Sequence, residues 1–230
     1  MIYGGSMQRP NAYERYRQPA PRGPRRSRRG KLIPALLAIA LLVVLATALS
    51  GYLAELNREK LLRETLARYP LDYREQIQRC AAEQGLEPAY IAAIIMSESS
   101  FNPNATSGVN AQGLMQIMPE TGDWIAGKFN ETYEEGCLYD PDRNLRYGCW
   151  YMGWLIDRYN GDKACASAAY HSGQGTVDGW LQDPACSADG QTLTMIPGEN
   201  AKIYVERVLN YYEKYKEIYG VGLTEHMDAH

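Results

Sequence analysis

The clearest candidate for chemistry is Glu98, a carboxylate at the end of an apolar helical pattern. It follows Ile91, Ile94 and Ile95 at spacings of seven, four and three residues, which puts all four on one helix face. Apolar neighbours withhold solvation and the negative end of the helix dipole opposes a negative charge, so both effects raise the pKa of the carboxyl. A carboxylic acid that stays protonated near neutral pH suits general-acid cleavage of an acetal. Position alone fits equally well with a Glu satisfied by a salt bridge or a capping contact.

Further polar and glycine-containing segments accompany Glu98 in a fixed order. They are Ser97-Glu98-Ser99-Ser100-Phe101-Asn102-Pro103, Ser107, Gly113-Leu114-Met115-Gln116-Ile117-Met118-Pro119, Ala169-Tyr170-His171-Ser172-Gly173, Ile196-Pro197-Gly198-Glu199, and Tyr204-Val205 with Val208-Leu209. This ordered set resembles the soluble lytic transglycosylase family of the lysozyme superfamily, over roughly residues 73–217. The separation of the Glu-Ser and Gly-Leu-Met-Gln blocks is the specific part of the resemblance. It implies an all-α lysozyme-like fold with a cleft for alternating N-acetylglucosamine and N-acetylmuramic acid.

The resemblance implies a role for each matching residue. Glu98 matches the family's sole catalytic carboxylic acid, and Tyr170 matches a tyrosine that faces it. The other matches are the cleft-lining residues Gln116 and Met118, the substrate-holding carboxylate Glu199, and the loop-shaping residues Ser107 and Gly113. His171 stands where the family usually has Asn, so if it binds a sugar acetamide it must do so differently.

Three of these residues also have ordinary structural interpretations. Met118 fits a core position, and Tyr170 is one of 18 tyrosines, most of which serve packing. Glu199 fits the N-terminus of the last helix, where a negative charge is stabilising.

The resemblance also implies a mechanism. A hydrolase with two carboxylates places the second one roughly 5–9.5 Å from the first, and the family has no such partner. Instead, the 2-acetamido group of muramic acid supports C1 while Glu98 protonates the leaving oxygen, and the 6-hydroxyl of that sugar then attacks C1. The product is a 1,6-anhydro end, and neither a metal nor another cofactor is required.

Two other functions stay open at this point. One is a hydrolytic muramidase of the goose-type lysozyme kind, for which Asp123, Asp140 and Asp142 are candidate second acids. The other is a non-catalytic glycan-binding anchor that tethers a membrane to the wall. The intact Glu98 and Gly-Leu-Met-Gln block argue against this second function.

The charge distribution divides the chain in two. Residues 1–31 contain nine Arg and Lys residues and one acidic residue, whereas the net charge of the whole chain is −3. The stretch from Leu32 to Leu49 has no charge and is about long enough to cross a membrane as a helix. We therefore expect a single membrane anchor with its basic side in the cytoplasm and the later residues outside the membrane. A cleaved signal peptide, with a site near Ala46-Thr47-Ala48, is the competing interpretation.

These observations predict five regions: a basic disordered tail over 1–31, a transmembrane helix over 32–52, a helical stalk over 53–70, a transglycosylase domain over 71–220 and a flexible tail over 221–230. The arginine cluster also fits a nucleic-acid arm. Its place beside the apolar stretch favours a role in membrane topology and contact with anionic lipid instead, so no nucleic-acid partner is expected.

The domain after the stalk shows helical periodicity throughout and no strand alternation. The predicted helices are 73–84, one from Pro88 to Asn102-Pro103, 119–128, 145–159, 164–170, and one after Pro197-Gly198. Residues 102–116 are predicted to form a loop or a short hairpin, and the segment between the last two helices is predicted to be irregular.

Five cysteines lie on the expected outer side, where disulfides are permitted. Their proximity in the sequence suggests the pairs Cys137–Cys149 and Cys165–Cys186, with Cys80 free. No Cys-x-x-Cys is present and few histidines are available, so a zinc site is not expected.

Overall fold

A computed structural model describes the backbone of residues 29–224 and the side chains of residues 32–220. The predicted basic tail, apart from its last residues, and residues 225–230 of the predicted terminal tail lie outside this range. The chain divides into two compact units, residues 1–61 and residues 62–230.

The described residues of the first unit form most of a long helix, α1 (Arg29–Arg68), whose last residues belong to the second unit. Its apolar part has a mean hydropathy of 2.8, and within the described residues it is the one helix long and apolar enough to cross a membrane. Leu36, Leu37 and Leu42 are each more than 60% exposed in the isolated chain. A helix satisfies its backbone hydrogen bonds internally, so it needs no water as a partner. Together with the apolar surface, this makes α1 suited to a lipid environment.

The second unit is helical, as predicted. Its helices are α2 (Arg74–Glu83), α3 (Pro88–Glu98), α4 (Pro119–Lys128), α5 (Pro141–Arg158), α6 (Lys163–Ser172), α7 (Gln174–Gln182) and α8 (Glu199–Thr224), with a 3-10 turn at Cys137–Tyr139 between α4 and α5. Within residues 29–224, extended pairing is limited to isolated bridges that join Thr106 to Gln112 and Gln112 to Ile117. These bridges lie in and next to the segment predicted as a loop or hairpin.

The core is built around α3, which is buried along residues 89–95 and packs against α8 and α2. Proline at its first position fits the helix start because the missing N–H would have no intrahelical partner there. Tyrosines fill much of the space. Tyr90 bonds Ser167 at 2.8 Å, and Tyr215 donates to the Pro70 carbonyl at 2.8 Å, so these two rings add apolar area while their hydroxyls stay paired. The Tyr133 hydroxyl, in contrast, is buried without a hydrogen-bond partner among the described residues.

Three helices differ from the prediction. Helix α3 ends at Glu98, before the predicted stop at Asn102-Pro103, because Ser100 and Phe101 have left-handed backbone conformations with φ of 52° and 65°. Helix α5 begins at Pro141, four residues earlier than expected, because the Asp140 side chain accepts a hydrogen bond from the Arg143 N–H at 2.8 Å and caps the helix. Helix α7 was missed altogether, since Gly175 and Gly179 have low helix propensity and Val177 is its one fully buried residue.

The predicted disulfide scheme was wrong. The structure pairs Cys80 of α2 with Cys149 of α5, with 5.9 Å between the Cα atoms. Cys137, Cys165 and Cys186 are free, and the Cys165 thiol contacts the Gln191 carbonyl oxygen. Proximity in the sequence misled the assignment, because the packing of α2 on α5 brings together residues 69 positions apart.

Candidate active site

Glu98 is the last residue of α3, and its carboxylate is held by a tyrosine from the last helix. The Tyr204 hydroxyl donates a hydrogen bond to Glu98 Oε1 at 2.5 Å, across 106 residues of sequence. Tyr204 itself is buried in the packing between α3 and α8. The two helices that form the centre of the core therefore also fix the position of this carboxylate.

Burial raises the pKa of Glu98 to about 7, and it outweighs two opposing contributions. The Tyr204 hydrogen bond and the positive charge of Arg207 both favour the ionised form and lower the pKa. A carboxyl with this pKa is protonated in a large fraction of molecules at neutral pH and can accept the proton back after releasing it. Glu98 is therefore equipped to act first as an acid and then as a base.

Helix α6 contributes two more rings to this environment. His171 stacks on Tyr204, with ring centroids 4.4 Å apart and planes at 15°. Burial and then the Arg207 charge lower the pKa of His171, so the imidazole is neutral at pH 7. Tyr170 donates from its hydroxyl to the Met115 carbonyl at 2.7 Å. Its pKa is raised by burial and, secondly, by the charge of Glu98, which puts it in the same electrostatic environment.

The residue after Glu98 ties the acid to the loop that follows it. Ser99 Oγ donates a hydrogen bond to the Leu114 carbonyl at 2.7 Å. This contact links the Glu-Ser pair to the Gly-Leu-Met-Gln block. It gives a physical reason why the two sequence blocks are found together in this chain. The next loop residue, Met115, is held through its backbone, because its carbonyl accepts from Tyr170.

A buried asparagine clamps the same loop from the other side. The side chain of Asn144 on α5 is fully buried, and it accepts from the Met115 N–H at 2.8 Å. Its amide nitrogen donates to the carbonyls of Gln112 and Leu138 at 2.9 and 2.8 Å. Asn144 thus bonds three buried backbone groups; the Gln112 carbonyl also accepts from the Ile117 N–H at 3.0 Å, whereas Asn144 is the hydrogen-bond partner found for the Met115 N–H and the Leu138 carbonyl.

Gly113 is required by this packing. It has a φ of 78°, and a Cβ at this position would overlap the Leu138 carbonyl oxygen and the Asn144 side chain. Only glycine combines this backbone conformation with the space available.

The family model described as "Transglycosylase SLT domain" matches residues 75–190. This chain belongs to the transglycosylase SLT domain family. The match includes Glu98, the loop and α6, and it ends before α8.

Named relatives agree with this assignment. The chain is 33% identical over 156 residues to "Soluble lytic murein transglycosylase" of Escherichia coli K12, which covers 66% of this chain and 24% of that protein. It is 32% identical over 168 residues to "Membrane-bound lytic murein transglycosylase C" of Actinobacillus pleuropneumoniae serotype 5b, covering 64% of this chain and 46% of the relative. The chain therefore spans about a quarter of the length of the soluble relatives.

Solved structures show the same fold. An inactive mutant of lytic transglycosylase Slt from Pseudomonas aeruginosa superposes with a TM-score of 0.59 at 34% identity, over 66% of this chain and 25% of that one. The 70 kDa soluble lytic transglycosylase of Escherichia coli gives a TM-score of 0.62 at 30% identity, over 70% of this chain and 26% of that one. A 70 kDa soluble lytic transglycosylase has also been solved in complex with bulgecin A, and it too gives a TM-score of 0.62 at 30% identity.

Within the SLT domain, Gln116 and Ser107 support the loop. Gln116 has a φ of 49°, and its amide nitrogen donates to the carbonyls of Ala105 and Gly113 at 3.1 and 3.0 Å. Ser107 Oγ accepts from the Ala111 N–H at 2.9 Å. Both residues therefore stabilise the loop conformation, whether or not they also contact a sugar.

Met118 and Glu199 lie outside this network of contacts. Met118 is the half-buried residue that precedes α4, and Glu199 is the exposed first residue of α8. Glu199 is five residues before Tyr204, which corresponds to about 7.5 Å along the helix axis.

Two of the three candidate second acids have other partners, and the third is exposed. Asp140 caps α5, and Asp142 forms a salt bridge with Arg79 at 2.9 Å. Asp123 is exposed on α4. A neighbouring carboxylate would raise the pKa of Glu98, but among the described residues the raising cause is burial, with no contribution from the charge of another acid. Over the described part of the chain, no cluster of three or more His, Cys, Asp or Glu side chains is arranged to hold a metal ion.

Sequence reasoning missed three residues that shape the SLT site. Tyr204 entered the resemblance only as part of the Tyr204-Val205 segment, and no role was predicted for its hydroxyl. Arg207 lies one turn further along α8 and acts through charge. Asn144 was left outside its helix because the predicted start was Leu145; the Asp140-Pro141 capping signal would have included it.

Proposed function

We propose that residues 71–220 cleave the β-1,4 bond between N-acetylmuramic acid and N-acetylglucosamine in peptidoglycan and leave 1,6-anhydromuramic acid ends. The observation that carries the proposal is the carboxyl of Glu98. It stands directly before the serine that holds the Gly-Leu-Met-Gln loop, and burial raises its pKa to about 7. The names of the relatives, which are lytic murein transglycosylases, support the substrate class.

In the first step, protonated Glu98 donates its proton to the glycosidic oxygen as the bond to C1 breaks. Positive charge develops at C1, and the 2-acetamido oxygen of the muramic acid stabilises it. Glu98 is left as a carboxylate, and the Tyr204 hydroxyl at 2.5 Å stabilises this charge. Arg207 contributes a favourable long-range charge in the same direction.

In the second step, the 6-hydroxyl of the same sugar attacks C1 and gives its proton to Glu98. The C1–O6 bond forms, the acid is regenerated, and no water is consumed. A tethered nucleophile has an entropic advantage that can correspond to an effective molarity of about 10⁵ M or more. One group whose pKa lies near the working pH is suited to both proton transfers.

The remaining predicted residues are proposed to bind the glycan. Tyr170 and Gln116, which both bond backbone carbonyls of the loop, are proposed for the sugars beside Glu98, whereas Met118 and Glu199 are proposed for more distant sugars. His171 presents a neutral ring beside Tyr204, so it is proposed to offer a hydrogen-bonding edge where the family usually has an amide.

The apolar part of α1 is proposed to anchor the domain in the membrane, with the catalytic unit on the outer side. The exposed leucines of α1 and the basic residues before it support this placement. A membrane-bound lytic transglycosylase is among the relatives.

The test is mass spectrometry of muropeptides released from purified sacculi by the full-length chain in detergent micelles. We expect products lighter by one water than hydrolytic products and resistant to borohydride. Mainly reducible muramic acid ends would show a hydrolytic muramidase, and binding without release would show a glycan-binding anchor.

A further inference from the structure

An exposed arginine stands next to the tyrosine that holds Glu98. Arg207 lies one turn after Tyr204 on α8, and its guanidinium carbon is 5.5 Å from the centroid of the Tyr204 ring. The hydroxyl of Tyr204 bonds Glu98, and its ring stacks on His171. Arg207 therefore borders the same tyrosine that the acid and the imidazole contact.

Arg207 forms no ion pair within the described part of the chain, unlike the other cations of α8. The three lysines of this helix each pair with a carboxylate of the same helix: Lys202 with Glu206, Lys214 with Glu217, and Lys216 with Glu213. The guanidinium of Arg207 thus keeps its donors for a ligand. Such a group can hold a carboxylate through two parallel hydrogen bonds.

An exposed apolar side chain adjoins the guanidinium. Ile203 is 47% exposed and lies four residues before Arg207 on α8, so the two are neighbours on successive turns of the helix. Together they offer an apolar contact beside a cation, at the edge of the environment of Glu98.

Muramic acid carries a substituent of matching chemistry. It differs from glucosamine by a lactyl ether at O3, which consists of a methyl group and a carboxyl group. On a strand without peptide this carboxylate is free, whereas on a strand with peptide it forms an amide and the carboxylates of the stem peptide follow. In both cases muramic acid presents a carboxylate next to an apolar group, and N-acetylglucosamine does not.

We propose that Arg207 binds a carboxylate carried by the O3 substituent of muramic acid, while Ile203 packs against the apolar part of that substituent. Arg207 is then a specificity-determining residue that contacts the substrate away from the reacting atoms. The inference rests on the proposed function, since it takes muramic acid to be the sugar bound beside Glu98.

A bound carboxylate also changes the environment of the acid. Burial raises the pKa of Glu98, and the charge of Arg207 is one of the contributions that lower it. A carboxylate on Arg207 cancels this positive charge, so a larger fraction of Glu98 is protonated in the complex. Of the other titratable groups facing Glu98, Tyr170 and Tyr204 are neutral because burial raises their pKa values, and His171 is neutral at alkaline pH because burial lowers its pKa.

The first test measures affinity by calorimetry on the full-length chain in detergent micelles, with Glu98→Gln introduced to prevent turnover. The matched probes are a peptide-free tetrasaccharide of alternating N-acetylglucosamine and muramic acid, and the same tetrasaccharide with its lactyl carboxylates converted to amides. We expect the carboxylate form to bind about three- to tenfold more tightly, as for one charge-assisted contact at a partly exposed site. Arg207→Gln should bind both forms equally.

Matched variants separate recognition from folding and from net charge. Arg207→Lys keeps the charge and should retain a preference for the carboxylate form. Lys214→Gln removes a positive charge about 10 Å further along the axis of α8 and should leave the preference unchanged. Urea unfolding of Arg207→Gln should match that of the parent, since the side chain is exposed. Equal binding of the two forms by the parent, or a preference that survives in Arg207→Gln, would overturn the inference.

A third probe identifies the source of the carboxylate. It is the same tetrasaccharide with a stem peptide on each lactyl group. If Arg207→Gln weakens the binding of this probe alone, the carboxylate belongs to the peptide, and if it weakens the binding of the peptide-free probe alone, the carboxylate is that of the lactyl group. Unchanged binding of both probes would refute the assignment of Arg207.

A kinetic arm uses the chain with intact Glu98 and longer, soluble strands in the carboxylate and amide forms. The alkaline limb of the kcat profile should lie at higher pH for the carboxylate form, and Arg207→Gln should abolish this difference. If the parent chain cleaves neither form, the proposed function fails, whatever the binding result. If it cleaves both forms with the same KM and the same pH profile, only the role of Arg207 fails.

Discussion

Two halves of the site beside Glu98 are built on different principles. On the acid side, formed by Glu98, Tyr204, His171 and Arg207, side chains act on one another through a hydrogen bond, a ring stack and charge. On the loop side, residues 105–117 are held by side chains that bond the backbone, with Asn144 at the centre. The acid side determines the protonation state of Glu98, whereas the loop side determines the backbone conformation of residues 105–117.

The difference has an energetic consequence. A carboxyl whose pKa is raised from its usual 4.5 to about 7 destabilises the folded protein once it ionises. The clamp at Asn144 does the opposite, since it satisfies buried groups and stabilises the fold. Substitutions in the two halves should therefore separate activity from stability.

The largest expected effect is that of Glu98→Gln. Loss of the single acid and base should lower turnover by at least about 10²–10⁴-fold. Burial raises the pKa of Glu98 in the folded state, so the parent chain loses stability as the pH rises from 4.5 to 7. Glu98→Gln has no charge at this position and does not undergo this loss. It should be more stable than the parent by up to about 3 kcal/mol at pH 8 and equal to it below pH 4.5.

Activity is measured as the turnover of wall fragments. Stability is measured by urea unfolding at pH 8 and below pH 4.5. Glu206→Gln, an exposed change on α8 that removes a surface ion pair with Lys202, is the control; it should leave turnover unchanged and alter the free energy of unfolding by less than about 0.5 kcal/mol. A Glu98→Gln variant that keeps a tenth of the activity would refute the assignment of the acid.

Asn144→Ala tests the loop side. Removing the amide leaves the Met115 N–H and the Leu138 carbonyl without the partner that Asn144 provides, whereas the Gln112 carbonyl keeps its bond from the Ile117 N–H, so the free energy of unfolding should fall by about 3 kcal/mol. Urea unfolding at pH 7 measures the loss, and Asn210→Ala, which is exposed on α8, should change it by less than about 0.5 kcal/mol. Equal stabilities for the two variants would contradict the role of the clamp.

Tyr204→Phe tests the contact that joins α8 to the acid. The hydroxyl favours the carboxylate, so without it the pKa of Glu98 should rise further and the alkaline limb of the pH–rate profile should move to higher pH. The rate at neutral pH should fall about three- to tenfold, which matches the loss of one hydrogen bond. A shift of the alkaline limb to lower pH would mean that the tyrosine does not stabilise the ionised acid.

The smallest expected effect is that of His171→Asn. Since burial lowers the pKa of His171 below its usual 6.5, the ring is neutral at pH 7 and its replacement should change activity by less than about threefold there. The variant and the parent should diverge only at lower pH, where the histidine gains a charge near Glu98 and Arg207. A profile that differs at pH 8 and agrees at pH 5 would argue against this account.

Much of the helical framework follows from the sequence alone. Pro88 and Pro119 open helices at the predicted positions because proline suits a helix start, and the apolar spacing of α3 predicts the burial of Ile91, Ile94 and Ile95. Glycine-rich α7 escaped prediction because tertiary contacts, through Val177, outweigh its low helix propensity.

The sequence by itself determined that Glu98 lies at the end of a buried helix, because helical periodicity is a local property. Only the tertiary structure decided which groups surround that carboxyl. Tyr204 is 106 residues away, and Asn144 reaches the loop from 29 residues beyond Met115. The Cys80–Cys149 disulfide spans 69 residues for the same reason. Partners of this kind depend on how helices pack, and helix packing is fixed by the whole set of buried surfaces rather than by any segment of the chain.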